Sequence, residues 1–164
     1  MNDPRRTRPF SLQNLIPYPD GVADTVIKYE GKEIQEFERC SPTFTRPLVK
    51  ALNAAFHRGA QDGMDRITDH AAVADVARAR QLKLTDDTQY FLSVQADKHE
   101  GKTRLVAGVI KHSNETEAVF KFDDFICVEE IRLCIRHFQM AYDRGLEAGT
   151  EFGEAMKVIQ LAVG

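Results

Sequence analysis

No run of apolar residues in the sequence approaches the roughly 18–20 that a membrane-spanning helix needs. Nor does either sign of charge dominate: 22 Lys and Arg stand against 25 Asp and Glu, a formal net charge of −3. A dedicated duplex-DNA binder carries a basic excess and a DNA mimic an acidic one, so duplex DNA is not an expected partner. Cysteine is scarce. Cys40, Cys127 and Cys134 are odd in number and lack paired CxxC spacing, which argues for reduced thiols in a cytoplasmic protein. Arg5, Arg6 and Arg8 near the start are followed by Pro9 and Ser11 and not by an apolar stretch, so the expected signature of a secretory leader is missing.

The recognisable chemical motifs are missing too. There is no GxSxG nucleophile elbow, no GxGxxG after a strand, no phosphate-binding P-loop and no HExxH. His57, Asp62, Asp65, Asp69 and His70 are rich in ligand-type side chains, but their spacing suits a solvated acidic helix face better than a metal cage. No metal and no cofactor is implied.

What remains is an ordinary globular mixture, 43% hydrophobic and 29% charged, long enough at 164 residues to bury a substantial core. Residues 1–23 hold four of the six prolines and read as an irregular N-terminal arm, with 24–164 as a single α+β domain. Thr25–Tyr29 and Glu33–Phe37 flank Glu30-Gly31-Lys32 and predict a β-hairpin. Thr45 stands where an N-cap should, Pro47 falls in a first turn, and apolar residues then recur at helical spacing across 46–66. A shorter alanine-rich helix is expected at 69–82. Alternation in 90–96, 103–111 and 117–122 predicts an antiparallel meander, and Glu129 and Glu130 suit the start of a last long helix. The expected fold is therefore an antiparallel sheet carrying two long amphipathic helices and one shorter helix.

The most unusual feature is an internal echo. Ala55-Phe56-His57-Arg58-Gly59 matches Ala141-Tyr142-Asp143-Arg144-Gly145, and four residues after each comes another glycine, Gly63 and Gly149. The same offset pairs Leu52 with Phe138 and Val49 with Ile135. A duplicated ββα unit would explain it. Glycine inside a helix costs about 1 kcal/mol against alanine, so these residues call for a physical reason. Close crossing of the two long helices at Gly59, Gly63, Gly145 and Gly149 supplies one. A homodimer through the same faces, or a glycine-floored ligand pocket, are the alternatives.

Arg58 and Arg144, each just before a glycine, are the candidate ligand-binding residues. Their planar donor forks could hold a small anionic ligand such as a phosphate, with Asp62 or Glu147 as neighbouring carboxylates if that ligand were turned over. Arg132 and His137 form an R-x4-H string that resembles the catalytic motif of HEPN ribonucleases. That family is all-helical, and Leu133 stands here where a polar residue is common, so the string reads as ordinary surface residues. Single-stranded nucleic acid could stack on Tyr90, Phe91, Phe120 or Phe122, which are more economically placed in a core. On balance the sequence suggests a small non-enzymatic binding protein of the kind a phage or mobile element uses on a host protein.

Overall fold

The computed structural model describes residues 1–39, 42–68, 90–111, 119–122 and 128–164. The predicted hairpin forms. β2 (Thr25–Tyr29) runs antiparallel to β3 (Lys32–Phe37), with Tyr29 opposite Lys32. Glu30 and Gly31 at its tip have φ of 48° and 80°. Two positive central angles are what a tight hairpin turn needs to match the twist of its strands.

The arm departs from the expectation of irregularity. Its prolines sit at 4, 9, 17 and 19, which leaves a proline-free stretch, and Phe10–Asn14 forms β1 on the free edge of β2, Phe10 opposite Tyr29. Ahead of it Pro4–Arg6 makes one 3-10 turn, capped by the Asp3 carboxylate accepting from the Arg5 backbone N–H.

α1 spans Pro42–Thr68, starting a turn earlier than expected. Thr45 is consequently a fully buried residue of the first turn and not the cap. After the residues that follow α1 come β4 (Tyr90–His99), β5 (Lys102–Lys111) and the short β6 (Phe120–Phe122), an antiparallel meander. Glu100 and Gly101 close its first hairpin with φ of 51° and 75°, repeating the turn at Glu30-Gly31. α2 follows, Val128–Val163.

Among the described residues the strands do not join into the single sheet expected. They form two three-stranded sheets, β1-β2-β3 and β4-β5-β6, each with strands in sequence order. The two-strand-plus-helix repeat is likewise corrected, because three antiparallel strands precede each long helix. Among the described residues there are two α-helices; the shorter helix expected at 69–82 lies outside them. No helix among the described residues is long and apolar enough to cross a membrane.

Both sheets and both helices share buried aromatic contacts. Phe37 of β3 meets Phe44 of α1 edge-on at 5.5 Å, Phe44 meets Phe120 of β6 at 5.5 Å, and Phe120 lies 6.2 Å from Phe138 of α2. Leu48, Leu52 and Phe56 on α1, and Cys134, Phe138, Ala141 and Tyr142 on α2, complete the shared core. That core fixes which faces of the helices remain outside it.

Candidate interaction surface

The two glycine faces pack against each other. A Cβ added at Gly59 would lie 2.8 Å from the Leu146 nitrogen and closer still to the Tyr142 carbonyl oxygen. One added at Gly145 would lie 2.8 Å from the Phe56 carbonyl carbon and 3.0 Å from the Ala60 nitrogen. These obstacles are backbone atoms, which cannot swing aside as a side chain would. Gly63 faces Leu146 and Thr150, Gly149 faces Ala60, and Gly153 faces Ile67. The contacts advance together along both chains, so the helices run in the same direction.

The crossing is also reciprocal. Phe56 and Ala60 stand in α1 where Tyr142 and Leu146 stand in α2, and each glycine meets the other helix at the corresponding pair. That is the self-complementary relation found in twofold interfaces. The halves differ at one polar detail: the Tyr142 hydroxyl donates to the Asp62 carboxylate, whereas Phe56 has no hydroxyl. Burial, reinforced by that bond, pushes the Tyr142 phenol well above its usual range.

Outside the crossing, α1 has a second, polar stripe that holds the arm. The buried Asn53 side chain accepts from the Phe10 N–H and donates to the Phe10 carbonyl, both at 3.0 Å. One turn on, His57 Nε2 bonds the Thr7 carbonyl, and a turn further Gln61 Oε1 accepts from Arg5 at 3.1 Å. Asn53, His57 and Gln61 recur at four-residue spacing, so they lie on one helix face. This use of His57 differs from the solvated acidic face expected for its segment. Among the described residues no group of three or more His, Cys, Asp or Glu is placed to hold a metal.

The corresponding residues of α2 are Gln139, Asp143 and Glu147. Gln139 repeats part of the Asn53 clasp, its Oε1 accepting from the N–H of Tyr90, the first residue of β4, at 3.3 Å. Beyond that point the stripe borders an open cavity of about 480 Å³ lined by Arg136, Gln139, Met140, Asp143, Arg144 and Glu147. A second depression of the same volume lies between the β2–β3 hairpin and α2, lined by Tyr29, Glu30, Lys32, Arg144, Glu147 and Glu151 among others.

Arg144 lines both depressions and Arg58 lines neither. Both arginines are exposed, and Arg144 pairs with Glu147 at 3.1 Å. Carboxylates match the cations in the first depression and outnumber them in the second, an environment poorly suited to phosphate. Arg132 is exposed, whereas His137 is half-buried with its Nε2 unpartnered, and burial lowers its pKa. With its Nε2 buried, His137 does not present that nitrogen at the surface beside Arg132. Tyr90 and Phe120 are buried in the core and offer no free ring face to a nucleobase. Cys134 is buried, its thiol 3.8 Å from Gln35 Oε1; Cys40 and Cys127 lie outside the described residues.

The surface that sequence reasoning missed is the far end of α2. Gly153 against Ile67 is the last of the glycine contacts with α1, and α2 continues for ten residues to Val163. Met156, Val158, Ile159, Leu161 and Val163 are all exposed there, Leu161 at 76%. The signal was present as an almost uncharged stretch, but periodicity alone does not say which of its faces are covered. No family model, curated protein or solved structure matches this chain.

Proposed function

We propose that this chain is a non-enzymatic protein-binding module, a small cytoplasmic accessory protein of a phage or mobile element that acts on a host protein. The observation that carries the reading is the projecting end of α2. A helix that is apolar on nearly every side is ordinarily buried. Here Val158, Ile159, Leu161 and Val163 are between 54% and 84% exposed, and Glu154 and Lys157 are the only charged residues from 154 to 163. Covering one such side chain removes enough apolar surface to contribute about 1.5–3 kcal/mol. Together these four make an anchor for a partner groove.

The phosphate-ligand reading through Arg58 and Arg144 has less support, since the two arginines share neither depression and Arg144 is engaged by a carboxylate. Stacking of single-stranded nucleic acid has less support, since Tyr90 and Phe120 are buried in the core.

The test places a photo-cross-linking amino acid at Leu161 in cells that naturally produce the protein. The expected result is one discrete adduct to another protein, lost when Ile159→Asp is introduced while circular dichroism stays unchanged. Adduct formation no greater than from exposed Glu38 would overturn the reading. An adduct consisting only of a second copy of the chain would replace it with self-association.

A further inference from the structure

We infer that the end of α2 inserts into a socket of the partner protein, an apolar cavity walled by at least three packed helices or strands. This rests on the protein-binding reading above and deepens it by stating what the partner must be like. The angular distribution of the exposed side chains carries the inference. Met156, Val158, Ile159, Leu161 and Val163 are all exposed. Successive residues of an α-helix are turned by about 100°, so the directions of these side chains follow from their positions. With Val158 taken as zero, Leu161 lies about 60° to one side of it. Ile159, Val163 and Met156 lie to the other side, at about 100°, 140° and 160°.

Together they span about 220° of the circumference. Ala155 and Ala162 fall between Val158 and Ile159, so the apolar arc is continuous. The rest of the same helix supplies the contrast. From Cys134 to Gly153, where α2 packs on α1 and the core, its buried residues fall within a sector of about 120°. That is close to the stripe of roughly 100° expected of a helix covered on one side. From Val158 to Val163 every residue is exposed, none is charged, and the apolar arc is nearly twice as wide. Leu161 and Ile159 point about 160° apart. A flat protein face, a one-sided groove or a lipid surface would leave one of the two in water. Walls on at least three sides cover them both.

The chemistry of the socket follows from the same positions. Its walls are apolar, because a charge buried there would find no counterpart on residues 158–163. Gln160 and Lys157, at about 200° and 260°, lie outside the arc and mark the open side of the socket. Glu154 lies two turns before Leu161 on the same side, so the wall over Leu161 stops short of it. Ala162 sits within the arc at about 40°, where its small side chain admits the closest approach. The wall facing it presents a large apolar residue. The helix rises about 10 Å from Met156 to Val163, which sets the depth the socket needs.

The test carries the photo-cross-linking amino acid round the full-length chain's last turns, one position at a time, in cells that naturally produce the protein. Val158, Ile159, Leu161 and Val163 should each give an adduct to the same protein, and Gln160 should give several-fold less. The pattern round the helix is the readout, since one adduct alone fits a groove as well as a socket. Adducts from Ile159 and Val163 without any from Val158 and Leu161 would overturn the socket and leave the protein-binding reading standing. No protein adduct at any position, adducts only to a second copy of the chain, or adducts only to lipid would overturn both. A second pair of variants probes the close wall. Ala162→Leu should abolish the Ile159 adduct and Gln160→Lys should leave it in place, with circular dichroism unchanged in each. An Ile159 adduct that survives Ala162→Leu would contradict a wall on that side and overturn the socket.

Discussion

The outer stripes of α1 and α2 occupy corresponding positions on two helices that cross reciprocally, yet their side chains and, among the described residues, their contacts differ. On α1 the arm closes the groove: Asn53 takes both backbone groups of Phe10, and His57 and Gln61 secure the residues before it. On α2, among the described residues, the first of those clasps is repeated by Gln139 on Tyr90, and the next two positions carry carboxylates that line a depression. The difference teaches that the crossing and the stripe answer to separate demands. The crossing tolerates almost no change, because its obstacles are backbone atoms. The stripe differs more between the two helices: beyond Asn53 and Gln139 its side chains are half-buried or exposed, and Asp143 and Glu147 stand where α1 has His57 and Gln61.

The largest expected effect lies beneath both stripes, at Phe138 and its counterpart Leu52. Each is at most 1% exposed, but Phe138 packs against Tyr90 at 5.6 Å and against Phe120, whereas Leu52 is aliphatic. Phe138→Ala should cost about 3–5 kcal/mol in urea unfolding, and Leu52→Ala somewhat less within a range of about 2–5. A Phe138→Ala cost below ~1 kcal/mol would break the view that one core joins the second sheet to α2.

Next come the two clasps themselves. Asn53→Ala strands a buried N–H and a buried carbonyl, so it should cost roughly 2–3 kcal/mol. Gln139→Ala removes one longer bond and should cost about 1 kcal/mol. Equal costs would mean that the arm adds nothing to the α1 side. Hydrogen exchange at the Phe10 and Tyr90 amides would sharpen the same comparison, with Phe10 the better protected.

A smaller difference separates Tyr142 from Phe56. Tyr142→Phe removes the hydroxyl bond to Asp62 and should cost roughly 1–2 kcal/mol at neutral pH. Its pH dependence has a definite sign. The folded phenol has a pKa above its ordinary 10.0, so the unfolded chain loses its proton first as pH rises. The contribution is fully present below pH 10 and is lost as the pH rises through the folded value. The phenylalanine variant should therefore lose stability less steeply than the parent above pH 10, measured by urea midpoints across that range.

Much of this comparison was legible before the fold was known, and the reasons are specific. Glu30-Gly31 announced its hairpin because the turn needs a glycine-compatible backbone. The glycine echo announced two special faces because glycine in a helix interior has a cost that needs a return. β1 was hidden by the prolines on either side of it, since an edge strand can begin directly after Pro9. The division into two sheets was hidden because strand alternation does not say which strands pair across α1. The filled groove was invisible for a different reason: Asn53, His57 and Gln61 have no meaning as a set until the arm lies across them.

The claim on which the others rest is that the glycine faces cross at backbone contact, and Gly59→Ala and Gly145→Ala test it with a single methyl group each. Alanine is the better helix former by about 1 kcal/mol, so in open space both substitutions would stabilise the protein. In the close crossing the methyl meets the carbonyl region of the other helix and overpacks it, at a cost of about 1–3 kcal/mol. The measurement is the urea midpoint of each variant at unchanged slope. The account predicts a fall in both, by similar amounts because the contacts are reciprocal; a rise in either would contradict it.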